Sequence, residues 1–264
     1  MNDQSLWNEF HDVDGENAQT VSRRWPKMSL KSRAAWDDAD ANWREGEFFK
    51  SLSLAAISEF ESHAAPHCCQ RNTVLFTENE EPSSFLFLLE GRVKLSLNSK
   101  TGGRFIIRFA RPGEPLGLAS AVSGLPYEMT AEAQFFCTIT SLPRQSFLNF
   151  LTRYPSACLN AARELSLDHR RSCEHLHRLA LISSAPRKLA RLMIEWCADG
   201  ESNRSDTRFH CSLTHQEIGE HIGASRETVT RALSDLKDQG LIEQHGAILV
   251  VPNRRILATF AGIG

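Results

Sequence analysis

The stretch L-T-H-Q-E-I-G-E-H-I-G-A-S-R-E-T-V-T-R-A-L-S-D-L-K-D, residues 213–238, constrains this chain more than any other. Thr214 followed three residues later by Glu217 makes a capping box, which starts a helix. Ile218 and Ile222 lie one turn apart and share its inner face. Gly223 then ends it, because glycine takes positive φ most easily. Ser225 caps a second helix. On a helical wheel Val229, Ala232, Leu233 and Leu236 cluster on one face, and Arg226, Glu227, Thr230 and Arg231 centre roughly 140° away. The pattern predicts two short helices joined by a tight turn, the second with a charged face in solvent.

That is the layout with which a helix-turn-helix places its second helix in the major groove of double-stranded DNA. The side chains suit bases: arginine bridges guanine O6 and N7, and glutamate accepts from cytosine N4. Thr214, Gln216, Ser225 and Thr228 sit near helix N-termini, where side chains and amides meet phosphates, and Thr230 joins them as a backbone contact. A plain amphipathic hairpin with a solvated charged face is the alternative. The turn, both caps and the adjoining apolar runs weigh together against it. Residues 241–251, L-I-E-Q-H-G-A-I-L-V-V, place two apolar runs around His245-Gly246 and predict a β-hairpin, a wing. The wing offers His245 but no Lys or Arg. Pro252 starts a last short helix through Phe260.

The motifs Q-E-I-G-E-H-I-G, S-R-E-T-V-T-R and H-G-A-I-L-V-V resemble the DNA-binding domain of the Crp/Fnr family, relatives of the cyclic-AMP receptor protein. The resemblance covers about residues 48–260. It implies that Arg226, Glu227 and Arg231 read bases, and that Thr214, Gln216, Ser225 and Thr228 meet phosphates. It also implies half-sites close to G-T-G-A in an inverted palindrome, bound by a homodimer whose reading helices stand about 34 Å apart. RNA polymerase is the further partner such a regulator would meet.

Residues 71–147 alternate short apolar runs (T-V-L-F, S-F-L-F-L-L, R-V-K-L-S-L, F-I-I-R-F, C-T-I-T-S-L) with turns such as L-E-G, S-K-T-G-G and R-P-G-E-P-L-G. Many short strands with glycine-rich turns indicate a β-roll or barrel. A short helix is expected over 48–57. Residues 156–182 read as one helix of about 40 Å. One heptad register gives it a seam of Leu159, Ala162, Ser166, His169, Cys173, Leu176 and Ala180. Leu165 and Leu179 fall outside that seam, toward the barrel. Residues 183–186 read as a hinge, 187–197 as a supporting helix and 198–207 as a polar loop. The expected class is α+β: a cyclic-nucleotide-binding-type β-roll or barrel, a long dimerisation helix, and a C-terminal winged helix-turn-helix. The domains run 1–46 (a polar extension with Trp7, Trp25, Trp36 and Trp43, mobile or partly packed), 47–154, 155–183 and 184–264.

In relatives that bind cyclic AMP, the barrel grips the nucleotide through a G-E-L turn and an Arg-Ser pair. This chain keeps Gly117 but follows it with Leu118 and Ala119, and has Tyr127 and Glu128 at the pair. A carboxylate there repels phosphate. The long-helix positions that would meet the base are Ser172 and Cys173. The reading is against cyclic AMP, with the effector unknown and effector-independent binding as the alternative.

No cofactor and no metal is expected. Cysteine is absent from the first 67 residues, against the N-terminal iron–sulfur cluster of some relatives. The group H-A-A-P-H-C-C at 63–69 fits no standard zinc spacing and reads as a solvated loop. Haem ligation by a His or Cys has no motif to support it. Cys173 at the seam and Cys211 before the first reading helix are candidate redox thiols, more simply core cysteines.

Composition adds limits. The 264 residues suffice for two cores. No apolar run approaches the roughly 18 residues that span a bilayer, and the N-terminus carries no signal-peptide pattern. Seven cysteines without regular spacing fit a reducing cytoplasm. Net charge is −2, and residues 184–264 hold ten Lys/Arg against ten Asp/Glu, so any basic footprint is local. No Walker loop, G-x-S-x-G or H-E-x-x-H is present, so the chain is not read as an enzyme. The alternative of another class is a nucleotide-sensing adaptor acting through protein partners.

Overall fold

The computed structural model describes residues 41–99, 103–182, 184–197, 201–202 and 206–263, with the side chains of 41–42, 65, 177–181 and 201–202 also left out. Trp7, Trp25, Trp36, the turn residues 100–102, Leu179, Ala180 and the hinge residue Ser183 lie outside what is described. The chain divides into two compact units. One holds Arg108–His169 with the described residues up to 99; the other holds Gly103–Ile107 with Arg170 onward.

In the first unit a 3-10 turn, Ala41–Glu45, carries Trp43 into the core, where it is fully buried. Its ring meets Phe49 edge-on at 4.9 Å. This part of the expected polar extension is therefore packed. Helix α1 spans Leu54–His63, not 48–57. Ser53 is extended (φ −67°, ψ 152°) and its side chain accepts from the Ala56 N–H, which starts the helix there. Phe48 and Phe49 precede it and turn inward instead.

Strands β1 (Ala65–Cys69), β2 (Val74–Phe76), β3 (Ser84–Glu90), β4 (Val93–Asn98), β5 (Arg104–Ala110), β6 (Pro115–Leu116), β7 (Thr130–Ala133) and β8 (Cys137–Pro143) form two sheets, ordered β1-β8-β3-β6 and β2-β7-β4-β5. The five apolar runs are strands. β1, β6 and β7 were not expected. The 63–69 group is a correction: its second half is β1, paired in register with β8 from Ala65↔Ser141 to Cys69↔Cys137. His67 is buried there, its Nε2 2.9 Å from Ser141 Oγ. Among the described residues no group of three or more His, Cys, Asp or Glu is placed to hold a metal ion.

Strand β3 explains why S-F-L-F-L-L is a continuous run. Side chains alternate across a strand, and both faces are covered. Phe85, Phe87 and Leu89 enter an aromatic layer with Phe48, Phe60, Phe147 and Phe150, while Leu86 and Leu88 enter the barrel with Val93, Leu95 and Ile139. Phe85 and Phe147 stack at 3.9 Å and 5°. Across β4 and β7 the paired Lys94 and Glu132 form a buried ion pair of 3.0 Å.

Helix α2 (Leu118–Ser123) follows Gly117, and α3 (Arg144–Arg153) follows β8. Helix α4, Pro155–Leu181, is the long helix. Ala157, Asn160, Ala161 and Glu164 are buried, and Asn160 donates to the carbonyls of Phe48 (3.0 Å) and Lys50 (2.8 Å). Leu165 packs on the aromatic layer as expected. The proposed seam lies on another side: Leu159, Ala162, Ser166, His169, Cys173 and Leu176 are all exposed.

The second unit continues with α5 (Ala185–Trp196), β9 (Glu201–Ser202), β10 (Thr207–His210), α6 (His215–Ile222), α7 (Arg226–Asp238), β11 (Glu243–His245), β12 (Ile248–Val251) and α8 (Arg254–Phe260). The expected polar loop over 198–207 contains β9 and the start of β10. These strands extend the wing into a sheet ordered β11-β12-β10-β9. The final helix starts two residues after Pro252, capped by Asn253. No described helix is long and apolar enough to cross a membrane.

Candidate nucleic-acid interface

The two reading helices begin and end where their caps dictate. Thr214 accepts from the Glu217 N–H at 3.2 Å, and the Glu217 carboxylate accepts from the Thr214 N–H at 2.9 Å, so the capping box is closed. Helix α6 stops at Gly223, which is left-handed (φ 67°, ψ 46°). Gly219 lets the turn fold onto the helix: a Cβ there would stand 2.4 Å from the Ala224 carbonyl oxygen. Ser225 is the N-cap of α7 and accepts from the Thr228 N–H at 3.2 Å.

Burial then orients α7. Val229, Ala232, Leu233 and Leu236 are inside, and α7 packs on both α5 and α6. Leu189, Ala190, Leu192 and Met193 of α5 and Ile218 and Ile222 of α6 are buried as well. Arg226, Glu227, Thr230 and Arg231 are consequently exposed on one side. Burying α7's four apolar side chains stabilises the unit by about 1.5–3 kcal/mol for each large one. The charged face contributes little to that stability and is available for a ligand.

The local geometry supports anion and base contacts. Glu227's carboxyl is held below the usual carboxylate range. Its own backbone N–H donates to it, as does the Ser225 hydroxyl, and Arg226 and Arg231 reinforce the effect. It is thus an acceptor at neutral pH. Arg231 Nη2 lies 3.5 Å from Thr228 Oγ1, which is 3.1 Å from Ser225 Oγ. Gln216 donates to Glu220 at 3.1 Å. One neighbour escaped the sequence reading: His215 Nδ1 stands 2.9 Å from Thr230 Oγ1. The two are fifteen residues apart, so only packing of α6 against α7 reveals the contact. On the wing, His245 is exposed and 3.4 Å from Glu243.

The candidate effector residues are brought together only in part. Gly117 (φ 65°) lies against Tyr127, whose Cε1 would be 2.5 Å from a Cβ added at Gly117. Tyr127 is buried, stacks on Phe76 at 3.9 Å and 14°, and donates to the Ser84 carbonyl at 3.1 Å. Leu118 instead enters the aromatic layer. Glu128 is exposed, Ser172 half-buried and Cys173 exposed. Cys211 is half-buried, its thiol pushed up by burial and only partly offset by its hydrogen bond to Leu213.

Two family models match the chain: the cyclic nucleotide-binding domain over residues 67–154 and the Crp-like helix-turn-helix domain over 187–260. The cAMP-activated global transcriptional regulator CRP of Salmonella typhimurium is 23% identical over 197 residues, covering 74% of this chain and 93% of the relative. The CRP-like cAMP-activated global transcriptional regulator of Mycobacterium tuberculosis is 23% identical over 211 residues, covering 80% and 94%. Among solved structures, FixK2 of Bradyrhizobium japonicum matches with TM-score 0.65 and 22% identity, over 75% of this chain and 96% of that one. The c-di-GMP-responsive regulator CLP of Xanthomonas campestris matches with TM-score 0.67 and 17% identity, over 75% and 99%. The structural likenesses carry the fold, and the sequence matches carry the kinship. With a cyclic-nucleotide-binding domain ahead of a Crp-like helix-turn-helix, the chain belongs to the Crp/Fnr family of DNA-binding transcription regulators, which are not enzymes.

Proposed function

We propose that this regulator binds, as a homodimer, a palindrome with G-T-G-A-like half-sites. The observation that carries this reading is the exposed face of Arg226, Glu227, Thr230 and Arg231 on a helix whose opposite face is buried. In the proposal Arg226 and Arg231 read guanine, and Glu227 reads cytosine on the opposite strand. Thr214, Gln216, Ser225 and Thr228 fix the register on the backbone. The dimer forms along α4, where Leu159 and Leu176 stand 53% and 63% exposed. Such a pair of two-fold-related heads matches an inverted repeat. The protein acts in the cytoplasm and meets RNA polymerase at its promoters.

The sensory domain spans 47–154 in this reading, with 155–183 as the dimerisation helix, 184–264 as the DNA-binding domain and 1–46 as an extension. Its signal is one other than cyclic AMP. Glu128 is exposed, whereas the Tyr127 ring fills the space beside Gly117. Effector-independent binding is favoured by the same filled space.

The test is fluorescence anisotropy on a G-T-G-A palindrome and a scrambled duplex at stated salt. Arg231→Ala should cost about 1–3 kcal/mol per half-site on the palindrome and relax base preference at one position. Equal affinity of variant and wild type for the palindrome would remove Arg231 from the reading set.

A further inference from the structure

Thr230 lies one turn beyond Arg226 and beside Arg231 on the exposed face of α7. Its hydroxyl has a single hydrogen and two acceptor lone pairs. That hydrogen goes to the Arg226 carbonyl at 3.0 Å, the back-bond of a helical threonine. His215 Nδ1 sits 2.9 Å from the same oxygen. With the hydroxyl hydrogen committed, Thr230 accepts and Nδ1 donates. The tautomer follows. Neutral His215 keeps its proton on Nδ1 and presents Nε2 as a bare acceptor; only the imidazolium presents an Nε2–H.

His215 is the first residue of α6, between Thr214 and Gln216. A phosphate at this position is an acceptor only. It repels a bare Nε2 lone pair and bonds to an imidazolium, whose charge it also neutralises. The surrounding charges leave His215 without competition. On its own helix Glu217 is folded back on Thr214, and Glu220 is held by Gln216. On α7 the charged groups are Arg226, Glu227, Arg231, Asp235, Lys237 and Asp238. On α5, Lys188, Arg191 and Glu195 line a hollow with His221 and Ile222, at the far end of α6. Among the described residues His215 makes no ion pair.

We propose that His215 is a DNA-backbone contact of the reading head that binds only in its protonated form, so that each protomer takes up a proton when it docks. The inference rests on the DNA-binding reading above. It makes Thr230 a positioning residue that sets the imidazole's polarity, rather than a direct contact.

The experiment measures affinity of the full chain for a G-T-G-A palindrome and for a non-specific duplex, from about pH 6 to about pH 8 at fixed ionic strength. Titration calorimetry in two buffers of different ionisation enthalpy counts the protons. Wild-type affinity should fall with rising pH, approaching about tenfold per pH unit for each protomer that must take up a proton. The non-specific duplex should show the same trend, because a phosphate contact carries no sequence information. His215→Gln should lose that pH-dependent part and bind weakly throughout. His215→Arg should bind tightly throughout. Thr230→Val frees the other tautomer and should recover affinity at high pH. Melting curves of each variant confirm that it is folded. A pH profile shared by wild type and His215→Gln overturns the proposal while leaving DNA binding intact. Failure of every variant, His215→Arg included, to bind any duplex overturns it together with the DNA-binding reading.

Discussion

Gly219→Ala adds one methyl group at the closest approach of the helix-turn-helix. Its Cβ would lie 2.4 Å from the Ala224 carbonyl oxygen, and 3.4 and 3.5 Å from the carbonyl carbons of Ala224 and Ser225. Relief requires the turn to retreat by about 1 Å, since carbon and oxygen need roughly 3.3 Å. The Ala224 N–H is tied to the Gly219 carbonyl at 2.9 Å, so the retreat strains that bond too. Alanine gains about 1 kcal/mol of helix propensity. Overpacking costs about 1–3 kcal/mol and a weakened hydrogen bond about 1 kcal/mol. The net is a destabilisation of about 1–3 kcal/mol, lowering the melting temperature by roughly 2–12 °C. Gly240→Ala is the control. Gly240, unlike Gly219, has positive φ (65°), and nothing lies within 4 Å of its added Cβ. It should lose about 1–2 kcal/mol through backbone strain alone. The two variants should therefore melt alike, while only Gly219→Ala displaces Ser225 and the start of α7. Specific DNA affinity should fall about 5- to 150-fold for Gly219→Ala, since misplacing the base-reading residues forfeits about 1–3 kcal/mol, and stay near wild type for Gly240→Ala. Thermal melts with anisotropy on one palindrome measure both. A Gly219→Ala protein that melts at wild-type temperature and keeps its specific affinity would refute the reasoning.

Four further perturbations test other parts. Trp43→Ala removes a fully buried indole between Phe49 and Phe87 and should cost about 3–5 kcal/mol in denaturant unfolding. Leu159→Asp with Leu176→Asp should shift sedimentation from dimer to monomer, and an unchanged dimer would move the interface off α4. Alkylation followed by mass spectrometry should label the exposed Cys158 before the buried Cys69, Cys137 and Cys197. The Cys69 thiol is pushed up to about 12 by burial, then by Cys137 and Cys68, from a value of 9.0. Between those values the folded chain holds a proton that the unfolded chain has lost. Cys69's contribution is thus fully present below pH 9.0 and is lost as pH rises toward 12. Cys69→Ala should flatten the alkaline limb of stability against pH.

The reading helices were legible because their signals are local. Thr214 with Glu217, Gly223 and Ser225 each act within four residues, and all three boundaries stand where those residues put them. The wing was legible in its hairpin and not in its extent, because β9 and β10 take their place only by pairing with each other and with β12. Strand β7 is T-A-E-A, in which Thr130 alone favours a strand, and pairing with β2 and β4 holds it in place. Strand β1 hid behind a proline and two cysteines; its register with β8 decides it. The start of α1 was misjudged because two phenylalanines resemble a helix's apolar face, whereas the Ser53 cap fixes the true start. The contact of His215 with Thr230 had no sequence signal. Tyr127 was visible as a departure from the cyclic-AMP pattern, but its stacking on Phe76 was not.

The central claim is sequence-specific recognition of DNA by the α7 face. Its most direct test is selection of bound sequences from random duplexes by the purified, reduced protein without added ligand, at stated salt. Enrichment of G-T-G-A-type half-sites in inverted repeat, centres about one helical turn apart, is the predicted result. Absence of any enriched motif, with the selection repeated in the presence of cyclic nucleotides, haem and oxidant, would contradict the account.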